Sequence, residues 1–229
     1  MRTAAPEGDT ATAAADARPD SGKRGRNLLL ERASHGLAHE AKNPLHTMAL
    51  HLHLLAEKVG RLANGDAAVE KHVSALRTGI GKVDALLKAF AELATPDHAE
   101  PDLAVAYDRA VLLFGYELRR LGGQATPRKG PLAAHVEVEG GPLAELVTHA
   151  YLAGITAARG GGTVESEVRC EDKTAFLVVA VDGGLGTPEE CAPHLDIVRN
   201  LSLELKAELS VSSPAAGSVR LSISLPRSR

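Results

Sequence analysis

The stretch His39-Glu40-Ala41-Lys42-Asn43-Pro44-Leu45 decides how this chain is read. It sits inside a long heptad pattern in which Ala38, Ala41, Leu45, Met48, Leu52, Leu55 and Val59 recur at alternating steps of three and four. That spacing predicts a helix with an a/d seam of the kind found in coiled coils and four-helix bundles. Pro44 breaks a local rule there. It has no N–H to give the carbonyl of Glu40, and an interior proline costs a helix roughly 3 kcal/mol. A broken rule inside a strong pattern points to a functional site. The imidazole of His39, the carboxylate of Glu40 and the carboxamide of Asn43 fall within about one helical turn, with Asn43 at i+4 on the His39 face.

Working outward, the turn signal Asn64-Gly65-Asp66 precedes a second seam: Val69, Val73, Leu76, Ile80, Val83, Leu87 and Phe90. Two such helices predict an antiparallel hairpin. Leu86 and Leu93 widen the second stripe beyond what one partner covers, so two hairpins from two chains are expected to form a four-helix bundle. Replacing a seam leucine with aspartate is expected to break that dimer.

After Thr95-Pro96 the pattern changes. The sequence predicts helices over residues 102 to 121, 142 to 159 and 194 to 207. Strands are expected near 134 to 138 and over 163 to 169, 174 to 181, 208 to 212 and 218 to 225. In the last, Val219, Leu221, Ile223 and Leu225 alternate with Arg220, Ser222 and Ser224, which predicts a sheet with one wet face. Mixed helices and strands predict a two-layer α/β sandwich. The expected organisation is a disordered Ala/Thr/Asp/Pro-rich tail over 1–25, a helical hairpin over 26–96 and an α/β domain over 97–229.

Bulk properties narrow the function. The chain has 229 residues, 24 % charged, with a formal net charge of -3. That balance disfavours a general nucleic-acid binder and gives no sign of an anionic-membrane binder. The longest apolar run, near 175 to 181, is far too short for a bilayer span, and the N-terminus does not read as a secretory signal. The expected location is the cytoplasm. Aromatic residues make up 3 % and tryptophan is absent, which disfavours stacking sites. Cys170 and Cys191 form no motif and read as reduced cysteines. A zinc-protease pattern fails because Asn43 stands where a second histidine is required, so no metal site is expected. His51, His72, His98, His135, His149 and His194 carry no claim.

The segment Ser34-His-Gly-Leu-Ala-His-Glu-Ala-Lys-Asn-Pro-Leu45 resembles the H-box of bacterial sensor histidine kinases with a two-helix dimerisation and phosphoacceptor domain. The second half is similar to their catalytic, ATP-binding domain. Val181-Asp-Gly-Gly-Leu-Gly-Thr-Pro-Glu-Glu190 looks like the first glycine box. The resemblance implies that His39 is the phosphoacceptor, that Glu40 orients the imidazole and helps accept its proton, and that Asn43 positions water for dephosphorylation of a response regulator. It implies that Asp182 binds the adenine amino group, with Gly184 and Gly186 shaping the pocket.

Two departures alter the expectation. Ala153 falls where the family has its metal-binding asparagine, and Thr156 at a usual acidic position. The long lid and second glycine box are missing, since Gly186 runs almost directly into Pro188-Glu189-Glu190. Phosphoryl transfer from ATP depends on metal to neutralise developing charge, and glycine approach at a helix N-terminus cradles phosphate. The nucleotide residues are therefore expected to be vestigial, with no cofactor. The expected function is histidine phosphotransfer or response-regulator phosphatase activity in two-component signalling, by a homodimer whose partner is a receiver domain. The alternatives are an active kinase with a lid-less ATP pocket, which would need ATP and Mg²⁺, and a non-catalytic dimeric adaptor.

Overall fold

The computed structural model describes residues 18–59, 67–95, 101–127, 130, 133–212 and 218–228. Within α1 the side chains of 18–28, Glu31, His35, Ala38, His39, Ala56 and Val59 lie outside that description. So do the turn at Asn64-Gly65-Asp66 and most of the segment read as a tail. The first helix, α1, spans Arg18–Val59 and therefore starts inside that segment. The second, α2, spans Ala67–Ala94. Next come α3 (Leu103–Arg120), β1 (Gln124–Pro127), α4 (Gly140–Ala157), β2 (Thr163–Glu171), β3 (Thr174–Asp182), α5 (Pro188–Glu204), β4 (Glu208–Ser212) and β5 (Val219–Pro226).

The five strands form one mixed sheet in the order β1-β2-β3-β5-β4. β1 runs parallel to β2, and the other pairs are antiparallel. The alternation read from β5 holds. Leu221, Ile223 and Leu225 are buried, whereas Arg220 is exposed. Val164, Ser166 and Val168 do the same on β2. The helices cover that apolar face. α4 is buried almost all round, from Leu143 to Ile155, as a helix between a sheet and other helices must be. The hydroxyl of Tyr107 on α3 reaches across to Ser166, 2.8 Å from its Oγ, which satisfies a buried polar pair.

Some elements differ from expectation for identifiable reasons. The strand expected near 134 to 138 reduces to isolated bridges, Asp102–His135 and Val136–Arg227. Its first donor is taken elsewhere, because Ala134 N–H donates to the Asp102 carboxylate that also caps α3 through Ala104 and Val105. α5 starts at Pro188, not 194, because Thr187 and Glu190 form a reciprocal capping box. β1 is an added edge strand, short and polar, with proline at its end.

In the hairpin the buried stripe of α2 is His72, Gly79, Leu86 and Leu93, with Ala89. It lies one residue before the expected seam, a rotation of about 100° on a helix. Gly79 permits the close approach of the helices, since a Cβ there would lie 2.5 Å from Met48 Cγ. The seam residues Leu45, Leu52, Ile80 and Leu87 are instead exposed in the single chain.

The hairpin and the α/β portion meet along α3. Leu29 and Ala33 of α1, and Ala89 and Leu93 of α2, join the same core as Leu103, Leu113 and Phe114. Gly36 passes so close to α3 that a Cβ would sit 3.0 Å from the Leu113 carbonyl oxygen. Among the described residues, three ion pairs seat α3 on the hairpin: Arg109 with Glu92, Glu117 with Arg32 at 3.2 Å, and Arg119 with Glu40.

Candidate functional site

His39, Glu40 and Asn43 all lie on α1. The side chain of His39 is outside the described part of the structure. Glu40 is half-buried, and Arg119 donates to its Oε1. Asn43 is exposed. The hydroxyl of Thr47 donates to the Asn43 carbonyl at 3.0 Å, beside the break that Pro44 makes in the backbone ladder. Glu40, Asn43, Pro44 and Thr47 line a cleft of about 720 Å³ between α1 and α2, with Lys71 and Lys82 opposite. The carboxylate of Glu40 and the carboxamide of Asn43 thus border open space.

The glycine-box residues are arranged differently from a phosphate cradle. Asp182 ends β3, exposed, and its Oδ1 accepts from Ser218 Oγ at 3.0 Å. The loop after it is pressed onto the last turn of α4. Gly186 N–H donates to the Ala157 carbonyl at 3.1 Å and Leu185 N–H to that of Arg159 at 2.8 Å. A Cβ on Gly184 would lie 1.9 Å from the Ala157 oxygen, and one on Gly186 2.2 Å from that of Thr156. These glycines serve backbone-to-backbone packing. Beyond them, Glu190 pairs with Arg159 at 2.5 Å, and the capping box occupies donors at the N-terminus of α5.

α5 lies directly on α4. The space left between them and the sheet is about 210 Å³, lined by Ala153, Gly154, Ala157, Val179, Val181, Gly186, Pro188, Cys191, Leu195, Val211, Val219 and Leu221. Small-molecule sites usually span about 300–1,000 Å³ and carry a few placed polar side chains. Mg²⁺ demands oxygen ligands, and Ala153 offers none from its side chain. The Cys191 thiol faces the Ala153 carbonyl at 3.9 Å, and burial pushes it up from the ordinary thiol range. The side chains lining this space thus supply no oxygen ligand for Mg²⁺.

A buried polar chain, unanticipated from the sequence, joins four helices. Arg32 on α1 donates to His194 Nε2 on α5 at 2.5 Å. His194 Nδ1 and His149 Nδ1 on α4 are 2.9 Å apart, and Arg32 also bonds Glu117 on α3. Arg32 has no acceptor, so His194 must present a lone pair at Nε2 and carry its proton on Nδ1. His149 then accepts at Nδ1 and carries its proton on Nε2, an atom buried without a partner among the described residues. Burial lowers both: His149 to about 3, helped by His194 and Arg32, and His194 to about 4, helped by Arg32.

Arg119, Arg32 and Glu117 leave no local signal as site-shaping residues, because their partners are distant in the chain. Among the described residues, no group of three or more histidine, cysteine or carboxylate side chains is arranged to hold a metal, and no helix is long and apolar enough to cross a membrane.

No protein-family model and no curated protein matches the chain. Solved structures with a similar course of chain do exist. The mycobacterial sensor histidine kinase MprB is 21 % identical, over 55 % of this chain and 95 % of its own, with a TM-score of 0.45. The histidine kinase domain of the Erythrobacter litoralis EL346 blue-light-activated histidine kinase is 18 % identical, over 86 % and 94 %, with a TM-score of 0.46. A bacterial phosphotransferase is 17 % identical, over 86 % and 96 %, with a TM-score of 0.43. Likenesses at this level say nothing of activity.

Proposed function

We propose that this chain is a two-component signalling protein that carries a phosphoryl group on His39, as a histidine phosphotransfer protein or a response-regulator phosphatase, without autophosphorylation from ATP. The observation that carries the reading is a contrast between the two ends of the molecule. The H-box residues Glu40 and Asn43 border an open cleft, whereas the glycine-box loop is closed onto α4 above a small apolar space.

The proposed donor is a receiver domain carrying an acyl phosphate on aspartate. The neutral ring nitrogen of His39 attacks phosphorus, the N–P bond forms, and the P–O bond to the aspartate carboxylate breaks. The carboxylate leaves with the bonding pair, and the ring proton passes to Glu40 or to water. Histidine suits this role because its ordinary pKa of about 6.5 leaves a lone pair available near neutral pH. The receiver supplies its own metal and lysine. In the phosphatase direction Asn43 aligns water on the acyl phosphate instead.

The proposed working form is a homodimer. Its support is the exposure of the seam residues Leu45, Leu52, Ile80 and Leu87 on the hairpin, an unusual amount of apolar surface for a free helix pair. The proposed setting is cytoplasmic, where the free cysteines Cys170 and Cys191 would stay reduced.

Calorimetry with ATP, with and without Mg²⁺, tests the central claim on purified protein. No binding heat is expected, and no label should pass from γ-labelled ATP to His39. Metal-dependent micromolar binding would restore the kinase alternative.

A further inference from the structure

The pair between Arg119 and Glu40 joins residues 79 positions apart. Arg119 belongs to the last turn of α3, at the edge of the α/β portion. One turn earlier stands Gly115, where a Cβ would lie 3.6 Å from an Arg119 guanidinium nitrogen. The guanidinium thus lies back across its own helix, over a position that has no side chain. It is mainly exposed, whereas only 23 % of the Glu40 side chain is. Exposed pairs between two free surface chains contribute little. This one differs in its mounting. Gly36 holds the α1 backbone against the Leu113 carbonyl, and the Arg32–Glu117 pair fixes the same two helices nearby. Glu40 is held by one packed helix against another.

A carboxylate accepts on both oxygens. Arg119 engages Oε1. A glutamate adjacent to a histidine on a helix does not face it directly. Left alone on the surface it would sample many rotamers. Held by Arg119, it is confined to few.

We propose that Arg119 is a positioning residue for the chemistry of His39: by holding Glu40 through Oε1, it makes the α/β portion a working part of the phosphoacceptor site with no nucleotide involved. This rests on the reading of His39 as phosphoacceptor. It adds that the degenerate domain contributes a side chain to the site and is more than a scaffold.

The test uses the full chain and phosphoramidate, a small phosphoryl donor that needs no cognate receiver. In that reaction the ring nitrogen of His39 bonds to phosphorus, the P–N bond breaks, and ammonia leaves. The imidazole proton goes to Glu40 or to water. His39 labelling is followed against donor concentration in wild type, Arg119→Ala, Arg119→Gln, Arg119→Lys, Glu40→Gln and the Arg119→Ala/Glu40→Gln double variant. Arg119→Ala is expected to lower the maximal rate about tenfold, with the half-saturating donor concentration unchanged, and Arg119→Lys to recover most of it. In the Glu40→Gln background Arg119→Ala should cost nothing further, because its effect acts through that carboxylate.

Equal rates in wild type and all Arg119 variants would overturn the positioning role and leave the phosphoacceptor reading standing. A further loss in the Glu40→Gln background would also overturn it. Wild-type protein that takes no label on His39 would remove the phosphoacceptor reading, and this inference with it. Should Arg119→Ala lose helical circular dichroism, Arg119→Gln, which keeps the stem, decides the matter by the same comparison.

Discussion

Arg32 on α1 and His194 on α5 are joined by a hydrogen bond of 2.5 Å whose donor can only be the arginine. That fixes the protons on His194 and on His149 behind it, and it makes the junction sensitive to acid. Burial, then Arg32, lowers His194 to about 4, and burial, His194 and Arg32 lower His149 to about 3. Between those values and the ordinary 6.5, the unfolded chain binds protons that the folded one refuses. Their neutral pairing thus contributes fully above pH 6.5, and the contribution falls as pH drops toward 4 and then 3. Each histidine steepens the decline by up to about 1.4 kcal/mol per pH unit. Urea unfolding from pH 7.5 to 4.5 should show this slope, and the His149→Leu/His194→Leu double variant should be flatter over the same range.

The glycine-box loop gives a prediction about stability with no nucleotide present. Gly184→Ala or Gly186→Ala would drive a methyl into backbone carbonyl oxygens of α4, which cannot swing aside as a flexible side chain could. Each should cost about 1–3 kcal/mol by overpacking. Urea midpoints measured without nucleotide would show the loss. Unchanged midpoints would mean that the loop is not seated on α4.

Leu52 and Leu87 are 59 % and 54 % exposed in the single chain. Aspartate at either position should therefore be harmless to an isolated hairpin but should bury a charge in a dimer. Light scattering on Leu52→Asp and Leu87→Asp is expected to report the monomer mass with helical content retained. A variant that keeps the dimer mass would place the interface elsewhere.

Asn43 faces the open cleft and has no part in the Arg119–Glu40 pair. Asn43→Ala should lower phosphate release from a phosphorylated receiver domain about tenfold or more, since water alignment is lost, while labelling of His39 from that receiver persists. Equal loss of both would contradict the division of labour between His39 and Asn43.

The helical hairpin, the order of most later elements and the wet face of the sheet were legible in the sequence, because each rests on local periodicity. The facing of α2 was not. The apolar seam at Val73, Ile80 and Leu87 was the stronger signal, yet within one chain α2 turns His72, Gly79, Leu86 and Leu93 inward, where a bare glycine admits Met48. The start of α5 is legible in a local signal. Thr187-Pro188-Glu189-Glu190 is a capping-box sequence with proline at the first turn, and it follows so closely on the glycines that it also fits the end of a glycine box. The contacts of Arg32 and Arg119 were not legible at all. Pairings across 162 and 79 positions leave no local trace.

The ion pairs on α3 alternate in sign. Arg109 takes a carboxylate from the hairpin, Glu117 takes an arginine, and Arg119 takes a carboxylate again. Sliding α3 along α1 would bring Glu117 toward Glu40, or Arg119 toward Arg32, and like charges would meet. The alternation thus works as a key. It disfavours the seatings in which like charges meet, whatever it adds to how tightly the two parts of the molecule hold.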